Sequence, residues 1–341
     1  MKLRIPFQTY PVRIGIAMEE EGLRFVEAKC VDGGVEIRQA GRIRLEDGCM
    51  ENGRIIDMER AKLQLALAKK ELRLSKKKAI LSIPTSTVVI RKTRQPRLSP
   101  EEIRSLLEIE LGTTIHLPFS RPYFDFHKIG EVEPEQDPNE RDGFGLDDAL
   151  PEDEYLVIAA PGDVIDPYIE LLKVLDLEVT AVDIEPLALY RLLLASGEGY
   201  PTDFMFLQLG PHAVNVSIFQ SDIPEFLRSI PIQMAHYQPA GEPALQGESS
   251  GALDAFVQDL IREVDRVINF YQFSMKNDGT RIKTIYITGE GSNLEEMIAM
   301  LQPRMSSLQI HPLPTHHIRH QPTLQKSVQA ITAAAGLTLR G

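Results

Sequence analysis

Four histidines, His311, His316, His317 and His320, fall close together near one end of the chain. Zinc takes His and Cys ligands from a preorganised frame. Here Pro312, Pro314 and Pro322 interleave with the histidines and no cysteine is near, so the stretch reads as a surface loop without metal. Ser86, within Pro84-Thr85-Ser86-Thr87, lacks the Gly-x-Ser-x-Gly elbow of a nucleophilic serine and reads as a turn between strands. Asp183 and Glu185 could act as an acid pair. They stand where a strand passes into a helix, and read first as helix-start carboxylates. Gly289-Glu290-Gly291-Ser292 is a glycine-rich turn of the kind that joins a strand to a helix. No Walker A phosphate loop is present.

These groups are positioned by a repeated pattern. Residues 204–209, 214–219 and 225–230 read as three short strands, with Gly210-Pro211 and Ser221-Asp222 in the links, the signature of a β-meander. Val12–Ala17, Leu23–Lys29 and Val35–Leu45 make a second, earlier meander. Each is followed by helices, which predicts a duplicated α/β domain with a cleft between its halves. A helix is expected from Asp57 to Leu72, with Asp57 as N-cap. Another begins at the capping box Ser99-Pro100-Glu101-Glu102. A long helix is expected over 253–275, with Phe256, Leu260, Val264, Val267 and Tyr271 on one stripe. The last helix is expected over 325–335, packing back on the fold.

Residues 130–154 are acidic and rich in Pro and Gly, and read as a long exposed loop without EF-hand spacing. Lysines 69, 70 and 76–78 read as a solvated helix end. With 341 residues, the length prior favours two domains or one bilobed one. A net charge of −12 argues against a general nucleic-acid binder, whose affinity rests on phosphate contacts. Cys30 and Cys49 have no metal or redox spacing, which fits a reducing compartment. No run approaches the roughly 20 apolar residues of a membrane-spanning helix, so the expected location is cytoplasmic, reaching a membrane only through partners.

Several stretches, spread from residue 14 to the C-terminus, resemble the PilM family of type IV pilus assembly proteins, the FtsA-like branch of the actin-like ATPase superfamily. They are IGIAMEEEGLRFVEA, IPTSTVVIRKTRQPRLSPEEIRSLLEIEL, YLVIAAPGDVIDPYIELLKVLDLEVTAVDIEPLAL, LQLGPHAVNVSIF, TIYITGEGSNLEEM and AITAAAGLTLRG. The resemblance implies a duplicated actin-like (ribonuclease H-like) α/β fold of two lobes. The first lobe would be residues 1–197, with an FtsA-type inserted subdomain at about 78–180. The second would be 203–324, and 325–341 would hold the C-terminal helix. The family binds ATP between the lobes and docks the cytoplasmic N-terminal tail of the inner-membrane pilus protein PilN, alongside other pilus platform proteins.

Carried over residue by residue, the same resemblance implies a degenerate nucleotide site. The position that organises Mg²⁺ in the first hairpin is Ala17, and the turn glycine after it is Glu19. A glutamate ~6 Å from a phosphate charge costs roughly 3 kcal/mol at an effective dielectric near 20. In the second hairpin the carboxylate position is Gln208. Gly210 survives, and Pro211 removes a backbone donor. Gly289 and Gly291 keep the turn that supports adenosine. Gln233-Met234-Ala235 stands at a Gly-Gly position of the family, and the upper subdomain of the second lobe is reduced to loop 234–251. The implied protein is a pilus-assembly scaffold without ATPase chemistry and without cofactor, ATP and Mg²⁺ being disfavoured. Its partner-tail groove is expected near Ile83, Leu117, Pro118 and Phe119. The rival readings are an active ATP-binding switch and a sugar- or acid-kinase relative.

Overall fold

In this computed structural model the described residues are 12–340, apart from 20, 32, 52, 71, 73, 75–77, 133–150, 234–247, 277, 291–293 and 322–327. They form two compact units, Met1–Ser86 with Pro167–Gly341, and Thr87–Asp166.

The large unit opens with the antiparallel meander β1 (Val12–Glu19), β2 (Gly22–Val31) and β3 (Gly34–Arg44). A two-rung hairpin follows, β4 (Met50–Glu51) with β5 (Arg54–Ile55), and then α1 (Met58–Lys69). Asp57 caps α1 by accepting from the Arg60 N–H at 3.0 Å. Strand β6 (Lys78–Ile83) runs parallel to β1.

The small unit contains β7 (Val89–Pro96), α2 (Pro100–Thr113), β8 (Pro122–Val132) and β9 (Glu152–Pro161), with β9 central in an antiparallel sheet. Helix α2 starts at the expected capping box, where the Glu102 carboxylate accepts from the Ser99 N–H at 3.0 Å. Its face of Ile103, Leu107 and Leu111 packs on Tyr155 and Val157 of β9.

Helix α3 (Gly162–Leu172) leads back into the large unit, followed by β10 (Glu178–Ile184) and α4 (Glu185–Ala195). The second meander is β11 (Phe204–Leu209), β12 (Val214–Gln220) and β13 (Ile223–Ile230). Beyond it lie α5 (Glu248–Asn269), a π-helical continuation over Phe270–Lys276, β14 (Thr284–Gly289) and α6 (Leu294–Arg304). The chain ends with β15 (Gln309–Pro312), β16 (Ile318–Arg319), a 3₁₀ turn at Gln329–Ile331 and α7 (Thr332–Leu337).

The two sheets of this unit repeat one topology. The first runs β10-β6-β1-β2-β3-β16 and the second β13-β12-β11-β14-β15. In each, the first meander strand carries its antiparallel partners on one side and two later parallel strands on the other, β6 and β10 in one, β14 and β15 in the other. That is the expected duplication. An apolar cluster joins the sheets, with Ala17 and Val26 from one, Phe204 and Phe206 from the other, and Leu192 of α4 with Ala334 of α7.

Three boundaries differ from the sequence reading. The compact inserted unit is Thr87–Asp166, narrower than 78–180, because β6 and β10 belong to the first sheet. Ala79 to Ile83 of β6 are buried there, and β10 buries Ile184 with Val179, Ala181 and Val182 partly covered. The acidic loop expected over 130–154 is strand at both ends. Asp153 of β9 is held by Lys128 at 2.9 Å and Arg97 at 3.1 Å, so its carboxylate is neutralised within the sheet. Residues 133–150 lie outside the described residues, as do 234–247 of the loop expected over 234–251, and α5 already begins at Glu248.

The C-terminal helix is Thr332–Leu337 rather than 325–335, of which 325–327 lie outside the described residues. Every residue of α7 is buried. Small residues let it enter: a Cβ on Gly15 of β1 would sit 1.9 Å from the Ala334 carbonyl oxygen, and one on Gly336 would sit 2.1 Å from that of Ala188.

Candidate functional site

The first meander ends at a cleft. Its hairpin places Glu19 at the end of β1 and Glu21 in the turn, and the ladder sets Arg24 of β2 opposite Arg42 of β3. Glu19 takes a hydrogen bond from the Arg24 Nε and lies 2.9 Å from the Arg42 Nε. Glu290, just past β14, forms an ion pair with Arg24 and stands 3.4 Å from Arg42. Glu21 lies 3.4 Å from Arg42, 3.3 Å from Arg44 and 2.6 Å from the His212 Nε2. The central charges are well enclosed, Arg24 being 12% exposed and Glu19 16%. Burial pushes the Glu21 carboxyl up, but the His212 hydrogen bond and the charges of His212, Arg42 and Arg44 outweigh it, leaving it below its ordinary value.

Glu185, the first residue of α4, is buried on the floor of the same cleft. Burial, and then the neighbouring Glu19 charge, raise its pKa to about 8, against the opposing effects of a Gln208 hydrogen bond and Arg24. Both effects favour the neutral acid, the state in which a buried carboxyl tolerates a neighbouring carboxylate.

The backbone of the second meander closes the other wall. The Gly210 N–H donates to the Ala213 carbonyl at 2.9 Å, and the Glu290 N–H donates to the Leu209 carbonyl at 2.8 Å. Gly289 holds φ at 113°, and a Cβ there would fall 2.1 Å from the Leu209 oxygen, so the turn requires glycine. Both amides are thus consumed inside the protein. The space left is about 90 Å³. Pockets for drug-sized ligands run from roughly 300 to 1,000 Å³.

Of the residues singled out in the sequence, Glu19, Gln208, Gly210 and Gly289 come together on this cleft. Ala17 does not: its side chain packs in the apolar cluster between the sheets. Gly291 lies outside the described residues. Ser86 also reaches the cleft, in a 3₁₀ turn over Thr85–Thr87 as expected. Asp183 is turned elsewhere, paired with Arg191 and 3.4 Å from Arg340. In the large unit Ile83 is 1% exposed at the end of β6. In the small unit Leu117 packs partly buried against the α2 core, Pro118 is exposed and Phe119 is half-buried.

Among the described residues no group of three or more His, Cys, Asp or Glu side chains could hold a metal ion. His317 is buried, and His316 stands 3.3 Å from Glu198. Cys30 and Cys49 are both free thiols.

The carboxylates on the cleft are engaged with guanidinium groups or held toward the neutral acid, and the two turn amides already have acceptors. Sequence reasoning missed Arg24, Arg42 and Glu21. The turn between β2 and β3, with Val31 opposite Gly34, would by itself set Arg24 opposite Gly41; the register shift between Glu27 and Ala28 moves it opposite Arg42, so no local signal marked the pair.

A family model described as type IV pilus assembly protein PilM matches residues 15–229. Among solved structures, a PilM-PilN type IV pilus biogenesis complex matches at TM-score 0.73 and 17% identity, covering 96% of this chain and 98% of that one. The ethanolamine utilization protein EutJ from Carboxydothermus hydrogenoformans matches at TM-score 0.47 and 11% identity, over 97% of this chain and 90% of that one. No curated protein sequence matches the chain. The fold is the duplicated actin-like α/β fold. With the family model spanning more than half of the sequence, the chain belongs to the PilM family of type IV pilus assembly proteins.

Proposed function

We propose that this protein is a scaffold of the type IV pilus assembly platform that binds the cytoplasmic N-terminal tail of a PilN-like inner-membrane protein and works without hydrolysing ATP. Family membership supports the pathway, and the matched PilM-PilN complex supports the class of partner. No helix among the described residues is long and apolar enough to cross a membrane, which agrees with recruitment to the inner face of the cytoplasmic membrane through partners, other platform proteins included. The tail is assigned to the small unit near Leu117, Pro118 and Phe119. An extended segment there would bind by strand addition, with side chains in alternate pockets. Ile83 is too enclosed to offer its side chain.

The observation that carries the loss of ATPase chemistry is the placement of Glu19 and Glu290 against Arg24 and Arg42. A triphosphate entering this cleft would meet two carboxylates already holding the cations. The two arginine charges are balanced by these carboxylates, so the cluster as a whole offers a triphosphate little net attraction. Mg²⁺ needs hard oxygen ligands, and the oxygens here are engaged. No cofactor enters this reading.

Isothermal calorimetry tests both halves. ATP with Mg²⁺ is expected to give no binding heat up to millimolar concentration. A synthetic peptide of the cytoplasmic N-terminal tail of a PilN-like protein is expected to bind equally well with or without ATP. Micromolar ATP affinity, or tail binding that requires ATP, would favour the active switch instead.

A further inference from the structure

Three bridges cross the cleft from the first sheet to the second. Glu290 beyond β14 reaches Arg24 of β2 and Arg42 of β3. His212, in the turn between β11 and β12, meets Glu21 in the turn after β1 at 2.6 Å. Gln208 of β11 is hydrogen-bonded to Glu185, which directly follows β10 of the first sheet. All the participants belong to one compact unit. Away from the cleft an apolar cluster joins the sheets through α4 and α7, and Thr288 of β14 adds hydrogen bonds to Gln329 and to Thr332 of α7. At the cleft the joining contacts are these polar bridges.

We propose that the bridges form a built-in latch, in which the chain's own carboxylates act as the anions that draw the two sheets together, so that the cleft stays closed with no ligand bound. The chemistry is that of an internal pseudo-ligand. Arg24 and Arg42 face each other across a ladder, and like charges so placed repel. Glu19 supplies one negative charge from within the first sheet. Glu21, also of the first sheet, lies 3.4 Å from Arg42 but is shared with Arg44 and the His212 ring. Glu290, on the other sheet, is the carboxylate that reaches both arginines across the cleft, so part of their neutralisation is lost when the cleft opens. His212 and Glu21 repeat the arrangement a few residues away. A latch of partly exposed charges yields to salt, since the screening length falls from about 10 Å at 0.1 M to about 3 Å at 1 M.

Residue-resolved hydrogen exchange on the full chain, without nucleotide or pilus protein, reads this directly. The reporters are the amides of Gly210 and Leu45, bonded to the Ala213 and Glu21 carbonyls. Amides of β9 in the small unit serve as the reference. Raising NaCl from 0.1 to 1 M is expected to speed exchange at both reporters at least fivefold in the wild type. Glu290→Gln combined with His212→Ala is expected to give that fast exchange at 0.1 M already, and to abolish the salt response. Reporters that ignore salt in the wild type would overturn the latch. So would a double variant that keeps the salt response, or one whose exchange rises equally in β9. If the double variant does not fold, the wild-type salt series still decides. Neither ATP nor the tail peptide is present, so the outcome is independent of the scaffold reading.

Discussion

Arg24 and Arg42 stand directly opposite each other on β2 and β3, and both converge on the Glu19 and Glu290 carboxylates. Two guanidinium groups so close are tolerated because two anions lie among them. Removing one cation should then cost more than a surface ion pair, since it leaves an enclosed carboxylate uncompensated. Arg24→Leu is expected to destabilise the large unit by about 2 to 3 kcal/mol. Exposed charge changes such as Arg44→Gln should fall within about 0.5 kcal/mol. Urea denaturation followed by circular dichroism measures both, and equal small losses would show that the pairs are solvated.

Glu185 sets a pH dependence whose sign is fixed by its raised pKa of about 8. The folded chain holds this proton between the ordinary carboxyl value and pH 8, while the unfolded chain has released it. Stability from this group is therefore complete at low pH and declines as pH rises through that window. The slope is up to about 1.4 kcal/mol per pH unit. Glu185→Gln keeps the hydrogen bond to Gln208 without an ionisable group. The variant is expected to match the wild type near pH 5 and exceed it in urea midpoint at pH 9. Parallel pH profiles would remove Glu185 as the cause. The Glu21 contribution runs the other way. Its lowered pKa gives stability that is lost only as pH falls below the ordinary carboxyl value, so the two are separable by pH.

What could be read from sequence followed from how local each signal is. Both meanders and the Ser99 capping box are set by residues within a few positions of one another, and they appear in the structure as expected. The ends of the insertion are not local in this sense. Strands β6 and β10 look like any buried strand, and only their pairing assigns them to the first sheet. Helix α7 offers no periodicity to read, since a helix of small residues buried on every side has no polar face to mark its register. The cleft charges were hidden for a further reason. Glu19 and Glu290 are brought together only by the packing of two sheets, and no spacing rule links them.

Helix α7 yields a steric prediction. Its backbone touches α4 so closely that a Cβ on Gly336 would lie 2.1 Å from the Ala188 oxygen and 2.6 Å from its carbonyl carbon. Neither atom belongs to a side chain that can swing away, so one helix must shift. Overpacking of this kind costs about 1 to 3 kcal/mol, occasionally more. Gly336→Ala is therefore expected to destabilise, although alanine is the better helix former by about 1 kcal/mol. A gain in thermal midpoint would mean that α7 can move off α4 without loss.

The scaffold reading predicts that tail binding and cleft chemistry separate by mutation. The proposed tail residues Pro118 and Phe119 belong to the small unit, whereas Glu19, Arg24 and Glu290 belong to the large one. Phe119 is half-buried, a placement that suits an aromatic anchor, and such anchors carry most of the energy of a small interface. Phe119→Ala is expected to weaken the PilN-like tail peptide at least tenfold in Kd, which corresponds to about 1.4 kcal/mol. The unfolding transition of the large unit should not move. Glu290→Gln should leave the tail affinity within twofold. If Glu290→Gln weakens the tail as much as Phe119→Ala does, the cleft takes part in partner binding, and the scaffold does not work through the small unit alone.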